Sequence, residues 1–284
     1  MKKKTNKLTT FLLIISLIAG LSLLLYPTVS DHWNSLTQSK TIASYVENVA
    51  DLNKEKYDGI INAASEYNAS LKNRYNSYVL SEQQKKEYIE LLNVSGDGVM
   101  GYVDIPAVKI TLPVYHGTSE EVLQTTVGHL EWTSLPVGGV DTHCVISGHR
   151  GLPSAKLFTD LDKLIEGDIF MLRVLDEVLT YEIDRIRIVE PTDTKDLQIV
   201  IGEDLCTLVT CTPYGVNSHR MLVRGHRIEN IEESEVARVV SDAIQIEPLI
   251  VAPIVAIPML LVLLIVLMIP KKANGRKRDD TDEV

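Results

Sequence analysis

The chain has 284 residues and a formal charge of −10 at pH 7, and its basic residues are gathered outside two uncharged apolar segments. Setting aside nine basic and four acidic residues in the two ends leaves 19 Lys and Arg against 34 Asp and Glu over residues 27–247, a charge of −15. That balance excludes nucleic acid as a partner, which needs a basic footprint, and suits a soluble domain held above an anionic membrane. The three cysteines, Cys144, Cys206 and Cys211, are too few and too odd in number for a disulfide framework.

In chain order, residues 1–8 form a basic tail with Lys2, Lys3, Lys4 and Lys7, and residues 9–26 carry no charge. A stretch of that length crosses a hydrocarbon core of roughly 30 Å as a helix. No small-x-small cleavage site follows it, so it reads as an uncleaved anchor. Residues 249–269 form a second apolar segment that tolerates Pro253 and Pro258, followed by a cytoplasmic tail, 270–284, with five basic residues. Basic residues at both outer flanks place both termini in the cytoplasm and residues 27–248 outside, giving a two-pass protein of the cell membrane.

The outward portion has two textures. Residues 27–96 read as a helical arm: apolar positions Val46, Val49, Tyr57, Ile60, Ile61, Ala64, Tyr67 and Leu71 follow a helical period over 33–72. Ser81 with Gln84 forms a capping box for a further helix, which ends at Ser95-Gly96-Asp97-Gly98. From Val99 the chain turns to short β-rich runs: 99–105, 109–115, 143–147, 169–175, 180–189, 205–211 and 220–228. Closely spaced strands with few long helices predict a mainly β barrel or sandwich over residues 97–230, with 231–248 as a linker to the second anchor.

Three residues in the β region form a chemical set. Cys211 closes an alternating run before Pro213, and Pro213 is expected to end the strand there, leaving the thiol facing a loop. His149 follows a strand in the glycine-flanked turn Gly148-His149-Arg150-Gly151, and Arg220 re-enters a strand nine residues after Cys211. A nucleophile, a proton shuttle and a cation for developing negative charge are the parts that thiol acyl transfer requires. Taken singly, each has a blander reading: a buried apolar-type cysteine, a turn histidine and a solvated arginine. The five-residue spacing of Cys144 to His149 repeats in Cys206 to Cys211, so parallel neighbouring strands would set Cys144 and Cys206 side by side, as two free buried thiols in the simplest reading. Neither a metal-ligand cluster nor a nucleotide-binding loop appears, so no cofactor and no metal is expected.

Thr207-Leu208-Val209-Thr210-Cys211 resembles the TLxTC signature of sortases, and Arg220 and His149 match that family's arginine and histidine in order and spacing. Gly101-Tyr102-Val103-Asp104-Ile105-Pro106, Val127-Gly128-His129-Leu130, Thr133 to Gly139, Gly148 to Asp162 and Thr212 to Arg220 are similar to class C, pilin-polymerising sortases of Gram-positive bacteria, a resemblance covering roughly residues 97–228. The resemblance implies an eight-stranded sortase-type β-barrel with N-terminal helices, flanked by two membrane helices. It implies His149, Cys211 and Arg220 as catalytic residues, with Thr210 and Ser147 beside the substrate. The activity implied is cleavage of an LPxTG-like sorting signal between Thr and Gly, a thioester on Cys211, and transfer to a Lys amine of another pilin. Pilin subunits and membrane lipid are the partners implied.

One departure stands out. Class C sortases commonly carry an Asp-Pro-aromatic lid before the barrel, whereas the corresponding loop here is Asn73 to Leu80, and none of the eleven prolines follows an aspartate. A cell-wall-anchoring sortase, a membrane-tethered cysteine hydrolase and an anchored surface structural protein are the rival readings. The structural protein would need an LPxTG-like pentapeptide before Leu249, and Asp242 to Pro248 contains no Thr-Gly.

Overall fold

A computed structural model describes residues 7–71 and 79–230 of the chain. The expected second membrane segment, its tail and linker, and most of the loop in the lid position, with Tyr75 and Tyr78, lie outside those residues. The described residues fall into two units, residues 7–28 and residues 29–71 with 79–230.

In the first unit the described chain is the opening of helix α1 (Lys7–Ala50), with Phe11, Leu12, Ile15, Ile18 and Leu23 exposed. Among the described residues this one helix is long and apolar enough to cross a membrane. The expected anchor ended at Tyr26 and a separate helix began near residue 33; instead α1 runs unbroken through Pro27. Residues 28–50 contain neither Gly nor a second Pro, so nothing in them ends a helix once it has started. The break comes at Asp51–Asn53. There the Asn53 side chain accepts from the Lys56 amide at 2.9 Å and caps α2 (Lys54–Leu71). Helix α3 (Glu82–Glu90) opens with the expected capping box, in which Ser81 accepts from the Gln84 amide and Gln84 accepts from the Ser81 amide.

The second unit is built on a closed barrel of eight strands: β1 (Val99–Ile105), β2 (Ile110–His116), β3 (Val127–His129), β4 (Thr142–Gly148), β5 (Ile169–Val174), β6 (Glu177–Val189), β7 (Asp204–Thr212) and β8 (His219–Arg227). Their order around the barrel is β1-β2-β3-β4-β7-β8-β6-β5, so no edge is left unpaired. Seven of the eight strands coincide with the expected β runs to within three residues at either end. The missed one is β3, whose three residues are too few to show alternation. It pairs parallel to β2 and antiparallel to β4.

Side chains of β4 and β7 alternate between two apolar clusters. Cys144, Ile146, Cys206 and Leu208 belong to the barrel interior with Phe170, Tyr181 and Val223, whereas Val145 and Val209 pack with Val189, Leu197 and Leu222 in a separate cluster. The helical arm is docked by side-chain-to-backbone bonds. Tyr45 donates to the Met100 carbonyl at 3.0 Å and accepts from the Leu175 amide at 2.8 Å, and the Asn68 amide group both accepts from and donates to the Leu135 backbone. These groups are buried, so each unmade bond would cost on the order of 1–3 kcal/mol.

Candidate active site

Strands β4 and β7 run parallel and in register, from Thr142 opposite Asp204 to Ser147 opposite Val209. Two residues beyond that last pair come His149 on one strand and Cys211 on the other. Thr210 extends the link: its hydroxyl, 1% exposed, donates to the Gly148 carbonyl at 2.8 Å. Across the other side of β7, antiparallel β8 sets Arg220 directly opposite Cys211. The ladder continues one residue past Cys211, with Thr212 opposite His219, so Pro213 ends the strand slightly later than expected.

Parity along β7 decides which way the nucleophile candidate faces. Cys206, Leu208 and Thr210 share the inward side; Cys211, an odd number of residues from each of them, lies on the outer side and is partly exposed. Thr210 and Ser147 accompany it differently. Thr210 is buried, its hydroxyl engaged with Gly148, while Ser147 is partly exposed opposite Val209.

The turn carrying His149 is anchored on both sides. The Phe158 amide donates to the His149 carbonyl, the Gly151 amide donates to Thr159, and Arg150 pairs with Asp162. The second half of α1 reaches the same segment: Asn34 donates to the Ser154 carbonyl at 2.9 Å and Asp31 accepts from the Lys156 amide at 2.7 Å. Two glycines are required here. A Cβ on Gly148 would lie 2.7 Å from both Phe158 and Val127, and Gly151, at φ +75, packs against the Tyr214 ring, 2.9 Å from where its Cβ would be.

Two residues that sequence reasoning left aside border this turn. Tyr214, 60% exposed, stands over Gly151 as an aromatic wall. Glu120 places Oε2 4.0 Å from His149 Nε2, while its other oxygen accepts from Gln124. That Nε2 is buried and makes no hydrogen bond among the described residues. The Arg220 guanidinium donates to the Asn217 and His219 carbonyls at 3.3 and 3.2 Å, bonds within its own loop that a better acceptor can replace. The signal for Glu120 was unreadable in the sequence because β2, β3 and the one-turn helix α4 (Glu120–Leu123) must close the barrel before that side chain meets His149.

A sortase-domain family model matches residues 103–228. The structure resembles sortase C1 of Streptococcus agalactiae with a TM-score of 0.66 and 52% identity, covering 68% of this chain and all of that one. The chain belongs to the sortase family. Clostridium perfringens sortase C, solved with the C-terminal cell wall sorting motif, aligns at 42% identity and a TM-score of 0.60, again over 68% of this chain and all of the other. These likenesses place the sortase with class C, within a family of cysteine transpeptidases. Among curated relatives, sortase D of Bacillus subtilis is 29% identical over 131 residues, 45% of this chain, and the sortase spans 63% of that relative's length.

Proposed function

We propose that this sortase joins pilin subunits through Cys211, His149 and Arg220. The observation that supports this most directly is the register: parallel β4 and β7 bring His149 and Cys211 to adjacent strand ends, and β8 sets Arg220 opposite the thiol. Cys211 passes its thiol proton to His149 and Sγ attacks the carbonyl carbon of the Thr–Gly bond in an LPxTG-like signal, and the carbonyl oxygen takes up the displaced electron pair. Arg220, a planar donor fork, exchanges its loop carbonyls for that oxyanion. His149 Nε2 then protonates the leaving Gly amine, the C–N bond breaks and a thioester remains. A pilin Lys amine, deprotonated by the same imidazole, attacks the thioester carbon; the C–S bond breaks, an isopeptide forms and the thiol is restored.

Thr210 serves this reaction as a positioning residue, since its buried hydroxyl ties the Cys211 strand to the turn before His149. Ser147 and Tyr214 line the approach for the sorting signal. The first membrane helix, together with the apolar segment 249–269 and the basic flanks of both, supports a two-pass topology with the barrel outside. A C-terminal epitope tag shielded from protease in intact cells tests that topology.

The activity is tested by incubating the membrane-embedded sortase with pilins bearing LPxTG-like signals and mapping new isopeptide bonds by mass spectrometry. A Thr-to-Lys bond between subunits is expected. Ligation to peptidoglycan amines alone would make it a wall-anchoring sortase, and cleavage without any amine-dependent product would make it a hydrolase.

A further inference from the structure

The other two cysteines lie on the same two strands as the site. Cys144 on β4 and Cys206 on β7 are direct partners in the parallel register, 3% and 0% exposed, both within the barrel interior, and free in this structure. We propose that Cys144 and Cys206 form a reversible disulfide, a redox-controlled staple between the strands that carry His149 and Cys211.

Geometry permits the bond. Neighbouring strands lie about 4.8 Å apart, inside the Cα range of roughly 4.4–6.8 Å that disulfides span. Directly opposed side chains on a parallel ladder must still draw together by about 1 Å to bring their Cβ atoms from the strand spacing to the usual separation of about 3.8 Å. A bond made under that strain is more reducible, which suits a reversible link rather than a permanent one.

The surroundings favour oxidation of this pair. Burial pushes both thiols up, but contacts with Cys206 and the His129 ring outweigh burial for Cys144 and bring it below the ordinary thiol value, while Cys206 is held well above. His129 is itself fixed, with Nδ1 2.9 Å from the Tyr88 hydroxyl and Nε2 2.8 Å from the Ser134 carbonyl. With hydrogen peroxide as oxidant, the Cys144 thiolate attacks one oxygen to give a sulfenic acid and water. Cys206 then attacks that sulfur and displaces a second water; two thiols are oxidised, one peroxide is reduced, and both protons leave in the waters. A water-sized oxidant reaches such a site through local fluctuations that exclude a folded thiol enzyme.

Cys211 cannot compete for either partner. It lies five residues along β7 from Cys206, roughly 16 Å for an extended chain, and an odd offset turns it to the opposite face. The link between Cys144 and Cys206 therefore does not take up Cys211, and it holds β4 and β7 in the register that aligns Cys211 with His149.

The test uses the full-length chain in detergent, treated with hydrogen peroxide, alkylated and digested without reductant. A peptide pair linked Cys144 to Cys206 is expected, lighter by two hydrogens and released by dithiothreitol. Alongside it, the thermal midpoint should rise by roughly 5–10 °C, as a cross-link closing a long loop in a domain of this size gives. Cys144→Val and Cys206→Val should each remove that peroxide-dependent rise. Linked peptides containing Cys211 instead, or full alkylation of Cys144 and Cys206 after peroxide once the chain is unfolded, would overturn the proposal. Because the readout is the link itself, failure here leaves the assignment of Cys211 untouched.

Discussion

Strand β7 carries two cysteines that meet opposite fates. Cys206 is sealed in the barrel interior beside Cys144; Cys211, five residues on, faces outward at the rim beside Arg220 and the His149 turn. Residue type does not distinguish them. What does is parity along the strand and distance from its end, which in a two-residue period turn one thiol to the core and the other to the cleft. The entry half of the β4–β7 ladder therefore packs into the core, and the exit half carries the residues proposed for the chemistry.

The sharpest way to break that division is to exchange the cysteines for alanine. Cys211→Ala should lower transpeptidation by at least about 10⁴-fold and abolish the thioester seen by mass spectrometry, since the covalent route is gone. Cys144→Ala and Cys206→Ala should keep activity within about threefold while losing about 1–3 kcal/mol of stability, as small buried side chains do. A dead Cys206 variant with an intact fold would reverse the two halves.

Arg220→Lys comes next. A point charge cannot reproduce a planar fork, so the variant should fall roughly 10²-fold in kcat/KM and sit close to Arg220→Ala. Near wild-type turnover would reduce Arg220 to a generic cation.

The entry half has its own signature in pH. His143 lies at the start of β4, its Nδ1 2.7 Å from the Gln198 carbonyl and its Nε2 2.7 Å from the Thr207 hydroxyl. Burial lowers its pKa to about 4, with Arg224 adding to that and Asp184 and Asp196 opposing it. The folded state therefore refuses a proton that the unfolded chain accepts near 6.5. Stability from this group is complete above pH 6.5 and is lost as pH falls from 6.5 to 4, by about 3 kcal/mol for a shift of that size. Denaturant titrations at pH 7, 5.5 and 4 should show the loss, and His143→Gln should flatten it by one proton's worth of slope. An unchanged slope would mean other groups carry the acid sensitivity.

The smallest effect belongs to Glu120. Its carboxylate is 74% exposed and 4.0 Å from His149, a pairing of the kind worth at most about 1 kcal/mol. Glu120→Gln should slow transpeptidation by less than about fivefold, read as kcat/KM at one fixed pH. A hundredfold loss would make Glu120 an essential orienting group for the imidazole.

Much of this was readable from the chain itself. The TLVTC run, the glycine-flanked His149 and the nine-residue step to Arg220 pointed to the sortase family, because that set of residue types in that order and spacing occurs in few families. Alternation and turn residues marked seven of eight strands, and the Ser81–Gln84 box placed a helix start, because these are local effects of side-chain period and capping. Other features depended on closure of the barrel. The three-residue strand β3, the meeting of Glu120 with His149 and the inward burial of Thr210 all require segments far apart in the chain to come together. So does the contrast between Cys206 and Cys211: the amino-acid order sets their spacing, but only the parallel pairing of β4 with β7 decides which thiol meets solvent and which meets Cys144.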